Sequence, residues 1–195
     1  LGVVACQKDQ ADMGVNLGGE QEAFITVNLP EVSRAGSESG AFENGVLNTH
    51  DLRYILEIYY GENCYRQVQY TNEKSASFPV RLAPGRAYNF VVWADFVAEG
   101  TTTDLNYNTA KLSNISRLGY VSPMEEAQDA YFVQKDIFVE STINESLTLT
   151  RPFGKIRVIA TDIDEVNLNS TPSRVEAKFY NHPTFFSLNA LTGEA

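Results

Sequence analysis

The chain predicts an all-β fold: a β-sandwich followed by the start of a second β domain. Three observations carry that prediction. Eleven Phe and ten Tyr, with many Val, Ile and Thr, favour pleated, half-buried backbone. Several short segments alternate apolar and polar residues with the period of two that a strand imposes. Gly- and Pro-containing clusters separate those segments at intervals suited to turns. With 195 residues and 43% hydrophobic content, there is enough material for one large or two small domains with a real core.

Residues 1–6 end on Val4-Ala5-Cys6, an apolar run with a small residue just before the cysteine. This is similar to the end of a bacterial signal segment and lipobox, in which Cys6 becomes the lipidated first residue of the mature chain. In that case Cys64 has no partner and reads as a small buried apolar residue; otherwise the two cysteines can form one disulfide. Residues 7–22 are polar, contain Gly14, Gly18 and Gly19, and show no period, so they read as a flexible tether.

The sandwich is expected over residues 23–150. Its first strand is residues 23–30, where Ile25, Val27 and Leu29 alternate with Thr26, Asn28 and Pro30, and Phe24 opens the run. Ser33-Arg34-Ala35-Gly36 follows, a basic residue in a small-residue segment open to proteolysis, and residues 33–48 read as a mobile loop. A hairpin comes next: residues 52–60 alternate, Gly61-Glu62-Asn63 supply the turn, and residues 64–70 return. Phe78, Val80 and Leu82 mark another strand, and Ala83-Pro84-Gly85-Arg86 places Pro and Gly where a type II turn prefers them. Residues 88–96 are almost continuously apolar around Trp93, as a central strand covered on both faces would be.

Residues 97–121 form the longest irregular stretch, of the kind that is functional or disordered. Ser122-Pro123 followed by acids predicts a short helix. Strands resume at residues 130–139 and 146–150. Arg151-Pro152-Phe153-Gly154 punctuates the chain, and residues 151–195 read as the start of a second β domain, with strands at 155–162 and 175–180. The alternative is a last strand that pairs back onto the sandwich.

Composition narrows function. A net charge of −10 argues against nucleic acid and against docking on anionic lipid. No apolar run reaches the length of a membrane-spanning helix. Neither His50 nor His182 belongs to a ligand-spaced cluster, and His50-Asp51 reads as a loop pair rather than half of a catalytic relay. The sequence has no Gly-x-Ser-x-Gly elbow, P-loop or Cys-x-x-Cys pair, so neither an enzyme nor a cofactor is expected. Asp162, Asp164 and Glu165 lack the glycine and ligand spacing of a calcium loop and read as a solvated turn. Tyr59, Tyr60, Tyr65 and Tyr70 straddle the hairpin; their first reading is cross-strand pairing, and their second, with Tyr107, is a sugar-stacking face.

The order of these motifs resembles that of fimbrillin-like surface lipoproteins of Bacteroidales. The resembling features are Val4-Ala5-Cys6 with Lys8-Asp9, the strand from Phe24 to Leu29, Ser33-Arg34-Ala35-Gly36, residues 88–95 and residues 149–156. The resemblance implies transthyretin-like β-sandwich domains, a lipid anchor in the outer membrane and a place in a cell-surface fimbrium. It also implies that an arginine-specific protease cuts the Arg34–Ala35 bond. The first strand then leaves, and a strand from another subunit replaces it. The implied partners are other fimbrial subunits and a host protein or glycan. The alternative is a non-polymerising glycan-binding lipoprotein that keeps its first strand.

Overall fold

A computed structural model describes residues 21–30, 45–119, 126–153, 180 and 187–194. The expectations placed on Cys6, residues 7–20 of the tether, Arg34, Ala35, the Ser122 helix start, the 155–162 strand, residues 175–179 of the next strand, the acidic turn and His182 lie outside those residues, whereas Gln21 and Glu22, read as the end of the tether, already belong to a strand. Within the described residues the fold is an all-β sandwich with a third layer on one side.

The larger sheet has the strand order β3-β2-β5-β8, all antiparallel. Its members are β2 (His50–Tyr60), β3 (Asn63–Thr71), β5 (Arg86–Ala98) and β8 (Ala130–Val139). β2 and β3 form the expected hairpin. Tyr60 pairs with Asn63 across a tight turn, and Gly61 takes φ 58, which a residue without a Cβ adopts at little cost. β5 lies between β2 and β8 and is buried on both faces, as its continuous apolar run predicts.

The smaller sheet has the order β4-β1-β9, from β1 (Gln21–Asn28), β4 (Ser75–Leu82) and β9 (Ile143–Thr148). β4 alternates strictly between exposed and buried, so one of its faces is solvated. Gly85 at φ 75 completes the turn that carries the chain from β4 to β5, and its amide reaches the Val139 carbonyl at 2.7 Å.

The main core lies between the two sheets. Leu52, Tyr54, Leu56 and Ile58 of β2 and Tyr88, Phe90, Val92, Ala94 and Phe96 of β5 face Ile25, Val27, Phe78, Val80 and Leu147. A second core covers the opposite face of the larger sheet. There Ile55, Val91, Trp93 and Ala130 pack against Tyr107, Leu112, Ile115, Leu188 and Ala190.

The second core takes up two segments beyond the paired sheets. Of residues 97–121, read as an irregular stretch that is functional or disordered, 97–98 close β5 and 99–118 form a strap laid over the sheet. The strap contains β6 (Tyr107–Asn108), a 3-10 turn at Leu112–Asn114 and β7 (Ile115–Arg117). Apolar side chains at Tyr107, Leu112 and Ile115 hold it down, because each would otherwise leave part of the sheet wet. The tail likewise returns. β10 (Ser187–Leu188) pairs antiparallel with β7, and the Ala190 amide donates to the Leu112 carbonyl at 2.9 Å. Residues 187–190 thus pack against the strap.

Cys64 is buried as expected, but it is disulfide-bonded, which corrects its reading as an unpartnered apolar residue. The sequence has one other cysteine, Cys6.

Candidate functional site

β1 is the central strand of its sheet. It runs antiparallel to β4, with Ile25 opposite Phe78 and Val27 opposite Ala76, and parallel to β9, with Ile25 opposite Glu145 and Val27 opposite Leu147. Its inward residues Ala23, Ile25 and Val27 are all buried, as is Leu29 just past its end, while Phe24 points outward and is 43% exposed. The alternation of the sequence is thus the alternation of burial. After the strand, the Leu29 amide donates to the Lys74 carbonyl and the Asn28 carbonyl accepts from the Leu149 amide, both at 2.9 Å. Both edges of β1 are therefore hydrogen-bonded, one to each neighbour. β4 and β9 touch the strand but are not paired to each other. Taking β1 away would leave a slot one strand wide, walled by the open backbone edges of β4 and β9 and open to the core face of the larger sheet.

The tyrosines do not assemble a binding face. Tyr65 opposes Ile58 and is buried in the main core, while Tyr59 lies on the other side of the same sheet. Tyr107 is fully buried under the strap, edge-on to Trp93 at 5.2 Å, and its hydroxyl donates to the Gln128 carbonyl at 2.6 Å. Tyr59 is partly buried and its hydroxyl donates to Glu57. Cross-strand and core packing account for these rings. His50 and Asp51 do not form a relay: the His50 Nδ1 meets the Thr49 hydroxyl at 2.8 Å, and Asp51 accepts from the Gly100 amide. No metal-competent group of side chains occurs among the described residues.

A second constellation was not foreseen from the sequence. On the strap side of the larger sheet, Arg53 on β2 lies directly opposite Asp95 on β5 and binds it in a two-pronged pair, Nε to Oδ1 at 2.8 Å and Nη2 to Oδ2 at 2.7 Å. Its Nη1 reaches Asp104 of the strap at 2.7 Å. Asp104 in turn accepts from the Thr109 amide at 3.0 Å and the Thr109 hydroxyl at 2.8 Å. Next along the strand, Glu57 lies opposite Arg66 of β3 and pairs with it; Arg66 donates onward to the Thr109 carbonyl at 2.9 Å, and Glu57 accepts from the Leu112 amide at 3.1 Å. Thr109 joins the two halves.

Burial alone would lower the Arg53 pKa, but the Asp95 and Asp104 carboxylates outweigh it and keep the guanidinium firmly charged. Complete burial pushes the Asp95 carboxyl up against the pull of Arg53. Burial also pushes Asp104 up, but the Thr109 amide and Arg53 overcome it and hold the carboxyl below its ordinary value. A signal for this network was present in the sequence. A β5 run apolar on both faces calls for a second cover, and the strap is the nearest uncommitted segment.

The profile of a family described as "Family of unknown function (DUF6562)" matches residues 15–195. No curated protein and no solved structure matches the chain.

Proposed function

Since the chain belongs to that DUF6562 family of unknown function, we propose its role from its own residues: it is a subunit that assembles by exchange of β1 for a strand of another copy or of a related subunit. The observation that carries this reading is the position of β1 in the middle of a three-stranded sheet, with three buried residues on one face and Leu29 buried just past its end. Burying Ile25, Val27 and Leu29 stabilises the fold by roughly 2 kcal/mol each, about 6 kcal/mol together. A domain of this kind has a net stability of only about 5–15 kcal/mol. A body stripped of β1 is therefore driven to refill the slot, and an extended strand is the occupant whose backbone satisfies both edges.

Arg34–Ala35 is the bond whose cleavage, once the Cys64 bridge is open, would free the strand, because it follows β1 in the chain and precedes β2. In this reading the protein is a structural or adhesive fimbrial component at the cell surface, with no enzymatic activity. A glycan-binding role carried by Tyr59, Tyr65 and Tyr107 is not favoured, because Tyr65 and Tyr107 are buried on opposite faces of one sheet.

The test is digestion of the folded protein with an arginine-specific protease under reducing conditions, which open the Cys64 bridge, with Arg34→Ala as control. Cleavage at Arg34 followed by loss of the β1 peptide and growth in particle mass supports strand exchange. An intact Arg34–Ala35 bond, or β1 retained after cleavage in a monomer, overturns it.

A lipid anchor at Cys6 belongs to the same reading and competes with the Cys64 bridge for sulfur, since a thioether-linked Cys6 leaves Cys64 no partner in this chain. Mass analysis of the protein from its native membrane decides: an acylated Cys6 supports the anchor, and an unmodified Cys6 rules it out.

A further inference from the structure

We propose that the strap and the ion network beneath it form a latch that keeps the larger sheet folded while the smaller sheet is open, so that the body survives with the β1 slot vacant. The proposal rests on the strand-exchange reading for its purpose, but the latch itself is a property of the intact chain.

The two hydrophobic clusters divide cleanly. The main core draws on both sheets, whereas the second contains no residue of β1, β4 or β9. Removing β1 strips cover from one face of the larger sheet and leaves the other untouched. The polar network has the same partition. Arg53, Glu57, Arg66 and Asp95 come from β2, β3 and β5, and their strap partners are Asp104, Thr109 and Leu112.

The chemistry makes the latch cooperative. Lifting the strap deprives Arg53 of Asp104, Arg66 of the Thr109 carbonyl and Glu57 of the Leu112 amide in a single event. Glu57 and Asp95 are essentially inaccessible to water, so polar groups beside them lose protein partners without gaining equivalent solvation. Thr109 ties the halves together, because Asp104 takes its amide and hydroxyl and Arg66 takes its carbonyl. The strap therefore opens as a unit, at a high free energy. β1 is held by backbone pairing, apolar contact on its inward face and two exposed side-chain contacts, Asn28 to Ser146 and Glu22 to Arg81, with no buried ion pair among the described residues, which suits the segment that leaves.

Native-state hydrogen exchange of the full chain, read by mass spectrometry at low denaturant, tests this without any protease. Amides of β1, β4 and β9 are expected to lose protection together, while β2, β5 and the strap remain at least about tenfold better protected, as separate cooperative units are. In Asp104→Asn, protection of β2, β5 and the strap is expected to fall towards that of the smaller sheet, with β1 rates little changed. Equal protection of the two sheets in the wild type overturns the latch, as does an Asp104→Asn variant that slows or speeds both sheets alike. If Asp104→Asn does not fold, the wild-type pattern alone decides. Because no cleavage is involved, failure here is distinct from failure of strand exchange.

Discussion

Asp104 shows how one carboxylate can shape a loop and fix it in place. It closes the 104–109 turn through the Thr109 amide and hydroxyl and meets Arg53 of the sheet below. Hydrogen bonds to a charged group contribute about 1.5–3 kcal/mol, so Asp104→Asn is expected to cost roughly 1–2 kcal/mol, with part of the neutral hydrogen bonding kept. The pH dependence follows from the sign of the shift. A carboxyl held below its ordinary value of 3.8 stabilises the fold above that value, and the contribution is lost as pH falls through the lower folded value. Asp95 is shifted the other way, so its own contribution has the opposite slope. Denaturant titrations between pH 2 and 7 should therefore show the wild-type advantage over Asp104→Asn shrinking below about pH 4. An advantage constant across that range would remove Asp104 from its assigned role. The need for a second cover over β5 was legible in the sequence, but these pairings were not, since Arg53 and Glu57 simply occupy the polar positions of an alternating strand. The residues that cover them lie 51 and 55 positions away along the chain, beyond the reach of local pattern.

At the scale of elements, what is local was legible. The β2–β3 hairpin, the alternation of β4, the Pro84-Gly85 turn and the doubly covered β5 all followed from period, turn chemistry and apolar content. The neighbours of β1 did not follow. Its parallel pairing with β9 joins Val27 to Leu147, and no local signal specifies a partner so distant. The inward and outward faces of β1 were predictable, and they give a direct contrast. Ile25→Ala removes a fully buried side chain and is expected to destabilise the protein by about 2–5 kcal/mol. Thr26→Ala, on the outward face, should change stability by no more than about 0.5 kcal/mol. Urea midpoints of the two variants check this, and similar losses in both would mean that β1 is not seated as described.

At the scale of the whole molecule, the smaller sheet, the larger sheet and the strap form three layers with two cores. The sandwich was legible because alternating strands with one apolar face have few ways to bury it. The third layer was missed because its apolar residues, Tyr107, Leu112 and Ile115, are spaced through a segment with neither helical nor strand period. Leu188 and Ala190 also pack into that layer, a pairing of distant segments that no local pattern specifies. This layering gives a strand-exchanging subunit what it needs: one sheet built around a segment that can leave, and another sheet covered from behind. The measurement closest to that claim is the molar mass of the protein by light scattering after arginine-specific cleavage under reducing conditions, with the Cys64 bridge open. Strand exchange predicts particles of several body masses that have lost the β1 peptide, with Arg34→Ala unchanged. A cleaved protein that stays at the mass of one chain and keeps β1 would contradict it.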